Sequence, residues 1–384
     1  GGTASVIIGK DTSVSGYLFE SALEAGFLSA VVNVCMLGPM PSPAIAYLTQ
    51  AFGASAGVVI SASHNPYQDN GVKFFSSKGV KLSDDVQKAI EKKLATPMIS
   101  VNSAAIGKAK RYGQALGRYI EFCKSTFDKT CDLSNLKIII DCANGATYHI
   151  AEDVFTELGA TIIMINNTPD GYNINRDCGA TDTRQLQHEV LKQSANLGIA
   201  FDGDGDRVVM VDHLGNIVDG DEILYVIARD RRRQNIDFGG VVGTSLSNLG
   251  LELALDALDV PFVRTAVGDR FVMQGMLDRG WDLGGESSGH IICLDITTTG
   301  DGIVSALQAL AAIANCEQPL ADLRSKMRKL PQSMVNVRLD NNFDLVANKA
   351  VQSAVSDVES KLGKNGQVLL RPSGKEPLVR VMVE

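Results

Sequence analysis

No apolar run in these 384 residues approaches the roughly 20 needed to span a bilayer, and no secretory leader is visible at the start. Positive charge is short as well: 36 Lys and Arg against 44 Asp and Glu leave a net charge of −8. A phosphate backbone demands a basic face, so nucleic acid is not expected as the main partner, and neither is a membrane. The short basic cluster Arg231-Arg232-Arg233, following Arg229, reads as a solvated helix end. Seven cysteines lie scattered, with neither zinc spacing nor a disulfide framework. Cys35, Cys142 and Cys293 sit in apolar strand-like runs, which is core packing in a reducing cytoplasm. Gly-x-Ser-x-Gly is absent, so a serine hydrolase loses support. Gly374-Lys375 is followed by Glu376, with no Gly five residues before Gly374, so this is not a P-loop. The length suggests a soluble enzyme of two to four domains.

What the chain does carry is Asp202-Gly203-Asp204-Gly205-Asp206-Arg207, three carboxylates at alternate positions between the apolar runs 197–201 and 208–211. The two glycines let the backbone curl, so the acidic side chains can converge instead of alternating between faces. Like charges that close repel strongly unless a cation sits among them, and oxygen ligands without His or Cys favour Mg²⁺ over zinc. An EF-hand fits poorly, because Arg207 and His213 stand where such a loop needs Gly and Glu. A second loop, Ser61-Ala62-Ser63-His64-Asn65-Pro66, follows the strand-like Val58-Val59-Ile60, and Asn70-Gly71 and Lys73 come soon after. Pro66 ends the strand and leaves Ser63 exposed at its mouth. A serine that carries a phosphoryl group, with a phosphate oxygen on the metal, uses these pieces best. In Gly285-Glu286-Ser287-Ser288-Gly289-His290, small residues bracket a carboxylate, two hydroxyls and an imidazole, suited to sugar hydroxyls. In Arg371-Pro372-Ser373-Gly374-Lys375, the side chains of Arg371, Ser373 and Lys375 and the N–H groups around Gly374 make a phosphate clamp.

A strand–helix rhythm recurs three times and resembles weak internal repeats: strands at 5–8, 31–37 and 57–60, then 136–141, 161–165 and 197–201, then 240–242 and 262–265, with helices between them. The last block reads as a strand at 334–339, a helix at 345–362 and a hairpin around the phosphate clamp. The expected fold is α/β, with three similar mixed α/β domains, a smaller C-terminal α+β domain and an active site in the central cleft. The expected domains are 1–115 with the serine loop, 116–216 with the metal loop, 217–328 with the sugar loop, and 329–384 with the phosphate clamp. Ligand loops belong at strand ends in such layers.

The four loops, in this order, resemble those of the α-D-phosphohexomutases, and the resemblance covers nearly the whole chain. Gly38-Pro39-Met40-Pro41, Gly117-Arg118-Tyr119-Ile120, Asp141-Cys142-Ala143-Asn144-Gly145-Ala146, Val267-Gly268-Asp269-Arg270 and Ser287 look like the branch that acts on amino sugars. The resemblance implies interconversion of glucosamine 6-phosphate and glucosamine 1-phosphate, on the route to UDP-N-acetylglucosamine and the cell wall. It implies a phosphorylated Ser63, glucosamine 1,6-bisphosphate as intermediate and activator, and one Mg²⁺ per chain held by Asp202, Asp204, Asp206 and the phosphoserine. Ser63, His64 and Lys73 would be catalytic. Arg207, Glu286, Ser288 and His290 would bind substrate, and Arg371, Ser373, Gly374 and Lys375 its phosphate. The partner would be a small phosphosugar, the protein a monomer or homodimer, the location cytoplasmic. Alternatives are the branch acting on mannose and glucose phosphates and a metal-dependent sugar phosphatase. The chain departs from the family at Ser13, where relatives often have Arg, and at Lys375, where Thr is more usual. A stop just after a strand at Glu384 suggests a last domain shortened at its end.

Overall fold

A computed structural model describes residues 4–97, 100–128, 130–338, 348–363, 366–372 and 378–384. The first sheet holds β1 (Ser5–Lys10), β2 (Asn33–Pro39), β3 (Ala56–Ile60), β4 (Val72–Ser76) and β5 (Ala109–Arg111), in the order β4-β3-β1-β2-β5. The second holds β6 (Lys137–Asp141), β7 (Thr161–Ile165), β8 (Leu197–Phe201), β9 (Val208–Asp212) and β10 (Ile217–Val218), in the order β10-β9-β8-β6-β7. The third holds β11 (Val241–Thr244), β12 (Phe262–Thr265), β13 (Leu283–Gly285) and β14 (Ile291–Cys293), in the order β12-β11-β13-β14. The fourth is an antiparallel sheet of β15 (Ser333–Arg338), β17 (Leu378–Val383) and β16 (Val368–Pro372), in that spatial order.

The first three sheets share one plan. A first strand is flanked by its second and third in parallel, and a fourth folds back antiparallel on the third. The hairpin between third and fourth strands is therefore the same structural position three times. It holds residues 61–71 in the first sheet, 202–207 in the second and 286–290 in the third. The serine, metal and sugar loops expected from the sequence occupy these three hairpins, and parallel layers put such loops at strand ends.

Strand residues alternate between two cores, as period-two geometry requires. In the first sheet Ile7 and Val59 face Ile45 and Leu48 of the helix Ser42–Ala51, while Val6, Ile8, Val58 and Ile60 face Leu23 and Phe27 of the helix Ser15–Ser29. In the second, Ile139, Ala200 and Val211 meet Leu186 and Val190 of the helix Arg184–Lys192. In the third, Val242 and Ile292 meet Val272 and Met276 of the helix Asp269–Arg279. The opposite faces of all three sheets merge into one continuous core, and each fully buried Ile, Leu or Val there contributes roughly 1.5–3 kcal/mol. The helix Gly302–Cys316 runs through this core and touches β8 and β9 of the second sheet as well as β14 of its own. Asp301 caps it through the Val304 N–H at 3.0 Å and accepts a 2.8 Å hydrogen bond from Tyr119 Oη on the helix Ala115–Ser125.

One expectation is corrected. The Arg229–Arg233 cluster ends the helix Gly220–Arg233, but not as a solvated end throughout: Arg231 is 5 % exposed and pairs with Asp295 at 3.1 Å. Arg229 Nη1 donates to the Leu323 carbonyl at 2.7 Å. The helix is sandwiched between neighbouring elements, so long guanidinium stems find buried acceptors that local sequence does not reveal. The last long helix is Lys349–Leu362, while the expected start at 345 lies outside the described residues. Cys142 and Cys293 are buried, Cys35 partly so, and all seven cysteines are free thiols. Among the described residues, no helix is long and apolar enough to cross a membrane.

Candidate active site

Asp202, Asp204 and Asp206 leave β8 on consecutive turns of a tight hairpin, and one ligand oxygen from each lies within 4.8 Å of the others. Gly205, at φ +70°, makes the left-handed bend, and the Gly205 N–H closes onto the Asp202 carbonyl at 3.1 Å. All three carboxylates are buried, Asp206 being the least so at 6 % exposure. Asp202 accepts hydrogen bonds from the Arg207 N–H at 3.1 Å and from Ser63 Oγ at 2.7 Å. Asp204 Oδ2 accepts from Lys73 Nζ at 2.6 Å and from Ser42 Oγ, while the Ser42 N–H donates to the Asp204 carbonyl at 2.8 Å. Lys73 also reaches Asp206 at 3.4 Å, and Arg207 Nε stands 3.9 Å from Asp206.

Charge in this cluster is not balanced by the protein. Burial pushes the Asp202 carboxyl well above its ordinary range, and the charges of Asp206 and Asp204 push it further. Burial also works against ionised Asp206, but Lys73 and His290 outweigh it and hold that carboxyl well down. Burial disfavours the Lys73 ammonium too, yet Asp204 and Asp206 together raise it above its ordinary value. Asp204 Oδ1 and Asp206 Oδ1 are buried with no hydrogen-bond partner among the described residues. Leaving a buried acceptor unmade costs about 1–3 kcal/mol, more for a charged group. An all-oxygen set with unpaired lone pairs fits a hard divalent cation.

The serine loop meets this hairpin directly. Ser63 takes a left-handed backbone, φ +57°, with its N–H donating to Ser61 Oγ at 2.9 Å. That conformation aims Ser63 Oγ at Asp202. Lys73 arrives from β4, whose antiparallel register sets it opposite Val59 of β3. His64, next to Ser63, is exposed; partial withdrawal from water and then the Arg207 guanidinium lower its affinity for a proton. Ser63, Lys73 and the three aspartates thus converge, as the sequence predicts.

On the sugar hairpin, Glu286 N–H and His290 carbonyl close the turn at 3.0 Å, and Gly289, at φ +92°, presses its backbone on Val208 of the metal hairpin. Glu286 Oε1 accepts from the Gly268 N–H at 3.0 Å, Ser288 is exposed, and Ser287 is half-buried. His290 is buried, with Nδ1 3.6 Å from Asp206 and Nε2 3.8 Å from Asp269. Asp269 pairs with Lys81, and Arg270 with Asp84 at 2.9 Å, which ties the first sheet's unit to the third. Arg371 is an exposed residue of β16, whereas Ser373, Gly374 and Lys375 lie outside the described residues. Sequence reasoning missed Ser42, Asn175, Lys81 and the contact role of Asp269. For Asp269 the only signal was its place in Val267-Gly268-Asp269-Arg270.

Residues 1–98, 117–215 and 219–330 match the alpha/beta/alpha domains I, II and III of phosphoglucomutase/phosphomannomutase, and residues 334–384 match its C-terminal domain. The chain belongs to the phosphoglucomutase/phosphomannomutase family, a group of phosphohexomutases. It is 62 % identical over 382 residues to a phosphoglucosamine mutase of Ruthia magnifica subsp. Calyptogena magnifica, covering 99 % of this chain and 87 % of that one. To the phosphoglucosamine mutase of Sodalis glossinidius it is 59 % identical over 383 residues, covering 100 % of this chain and 86 % of the other. In fold it is similar to a phosphoglucomutase/phosphomannomutase family protein from Burkholderia thailandensis, with TM-score 0.81 at 20 % identity over 99 % of this chain and 85 % of that one.

Proposed function

We propose that this chain is a mutase that interconverts glucosamine 6-phosphate and glucosamine 1-phosphate through a phosphorylated Ser63. The observation that carries the reading is Ser63 Oγ, held 2.7 Å from Asp202 in a left-handed turn beside a buried, under-neutralised carboxylate triad. In the forward direction a free sugar hydroxyl attacks the phosphorus on Ser63. The bond from phosphorus to Ser63 Oγ breaks, and the hydroxyl proton passes to a base, for which His64 is the candidate. The product at that point is glucosamine 1,6-bisphosphate. After it turns round in the cleft, Ser63 takes back the other phosphoryl group, so no phosphate is released. Mg²⁺ held by Asp202, Asp204 and Asp206 would offset the charge on the transferred phosphoryl group. Lys73 brings a fixed positive charge to the same place, and Arg207, 3.9 Å from Asp206 on the metal hairpin, would support the phosphoserine or the metal loop.

Two orientations of one sugar need contacts that tolerate both. Glu286, Ser288 and His290 would grip the sugar, while Arg371, Ser373, Gly374 and Lys375 would hold the phosphate that is not reacting. The amino-sugar preference is supported by the phosphoglucosamine mutases this chain resembles at 59–62 % identity, and by Glu286, whose carboxylate can pair with a 2-ammonium group. A charged hydrogen bond exceeds a neutral one by roughly 1–1.5 kcal/mol, enough for about five- to tenfold selectivity. Specificity constants for the 6-phosphates of glucosamine, glucose and mannose, with inorganic phosphate assayed alongside, test the proposal. Glucosamine 6-phosphate should lead without phosphate release; a higher constant for glucose or mannose 6-phosphate overturns the substrate, and stoichiometric phosphate release overturns the mutase.

A further inference from the structure

Asn175 lies between β7 and β8, more than a hundred residues from the serine loop, yet its side chain is packed into that loop. Its Nδ2 donates to two carbonyls at once, Ser63 at 2.9 Å and Asn65 at 2.8 Å. Its own backbone is left-handed, φ +56°, and its N–H is anchored on the Ala143 carbonyl at 2.9 Å. Ile174 beside it is buried, so the segment is fixed from below. The other side of the amide faces the metal hairpin: a Cβ on Gly203 would stand 2.6 Å from both Asn175 Nδ2 and the Ser63 carbonyl. The amide therefore fills the gap between the turn that presents Ser63 and the turn that presents the aspartates.

We infer that Asn175 is a positioning residue that holds Ser63 in its left-handed conformation and so sets Ser63 Oγ against the carboxylate triad. Left-handed geometry is unfavourable for a serine, so something must over-determine it. The Ser61 hydroxyl holds the N–H side of Ser63, and Asn175 holds the carbonyl side. Without the amide, the peptide after Ser63 is free to rotate and Ser63 to relax to an ordinary φ, which swings its hydroxyl off Asp202. The choice of residue follows from two needs. The backbone requires a residue that tolerates positive φ, and the loop requires a two-proton donor, which Asn supplies and Asp or Gly does not.

The inference rests on Ser63 being the phosphoryl carrier, so the test runs three variants side by side. Asn175→Gly keeps the left-handed backbone and removes both hydrogen bonds; Asn175→Asp keeps the shape and replaces the donor with acceptors; Ser63→Ala tests the carrier itself. Turnover of glucosamine 6-phosphate is measured with glucosamine 1,6-bisphosphate present, together with melting temperature and amide hydrogen exchange of the 61–66 segment. Expected for both Asn175 variants are a kcat about 10- to 100-fold lower, a KM within about twofold, and faster exchange confined to that segment. If Asn175→Gly does not fold, Asn175→Asp carries the comparison. A parental kcat in a folded Asn175 variant, or a loss that appears wholly in KM, or unchanged exchange of the loop, overturns the role of Asn175. Parental turnover by Ser63→Ala instead overturns the carrier reading, which separates the two failures.

Discussion

Gly203→Ala is the smallest change that separates the two loops on which the chemistry rests. The added methyl carbon would lie 2.6 Å from the Ser63 carbonyl oxygen, 2.6 Å from Asn175 Nδ2 and 2.8 Å from Ile174 Cδ1. Ordinary contacts of carbon with these atoms are about 3.5 Å, so the hairpins must part by the better part of an ångström. Ile174 is in the core and Asn175 is anchored through its backbone, so the serine loop is the side that can give. Ser63 Oγ, now 2.7 Å from Asp202, would then stand beyond hydrogen-bond range. Moving the phosphoryl-carrying atom by about 1 Å from the carboxylate triad is expected to lower the rate by roughly 10- to 100-fold. Overpacking adds about 1–3 kcal/mol of destabilisation. The assay is kcat for glucosamine 6-phosphate with a thermal melt on the same sample. Gly26→Ala is the control: its Cβ meets nothing within 4 Å in the helix Ser15–Ser29, so it should raise stability by about 0.5–1 kcal/mol at unchanged turnover. A parental kcat and melting temperature for Gly203→Ala would refute the packing argument.

Asp204→Asn should weaken Mg²⁺ binding at least about tenfold by calorimetric titration, with turnover falling in step; unchanged affinity would make the triad an ordinary acidic turn. Asp221 is buried with Oδ1 unpartnered, and burial, then Asp219, push its carboxyl up to about 7 from 3.8. A raised folded-state value means that the stability it contributes is complete below pH 3.8 and is lost as pH rises through about 7, by at most about 4 kcal/mol. Asp221→Asn should therefore melt progressively higher than the parent as pH rises from about 4 to about 7 and keep that margin above it; a pH-independent difference between the two curves would contradict this.

The acidic hairpin was legible because its whole argument is local: three carboxylates, two glycines and two flanking apolar strands within fifteen residues, 197–211. The serine and sugar hairpins were legible for the same reason, and their shared position in three like sheets follows from the strand–helix rhythm. What stayed hidden is what the chain brings from afar. Ser42 on Asp204, Asn175 on Ser63 and Tyr119 on Asp301 join residues 112 to 182 apart, and nothing in the flanking sequence marks them. Arg231 looked like a surface cation because its partner Asp295 lies 64 residues on. The helix Asp84–Leu94 was missed although Val86, Ile90 and Leu94 recur at helical spacing, because these few apolar positions stand among many charges and none of its residues is fully buried.

The most direct test of the account is whether Ser63 carries the phosphoryl group that moves. The protein is loaded with glucosamine 1,6-bisphosphate, freed of small molecules, and chased with glucosamine 6-phosphate while intact mass and peptide maps are followed. The account predicts one phosphate per chain, on Ser63, that leaves within a turnover and appears on the sugar rather than as inorganic phosphate. A phosphate on another residue, or turnover with Ser63 unmodified throughout, would contradict it.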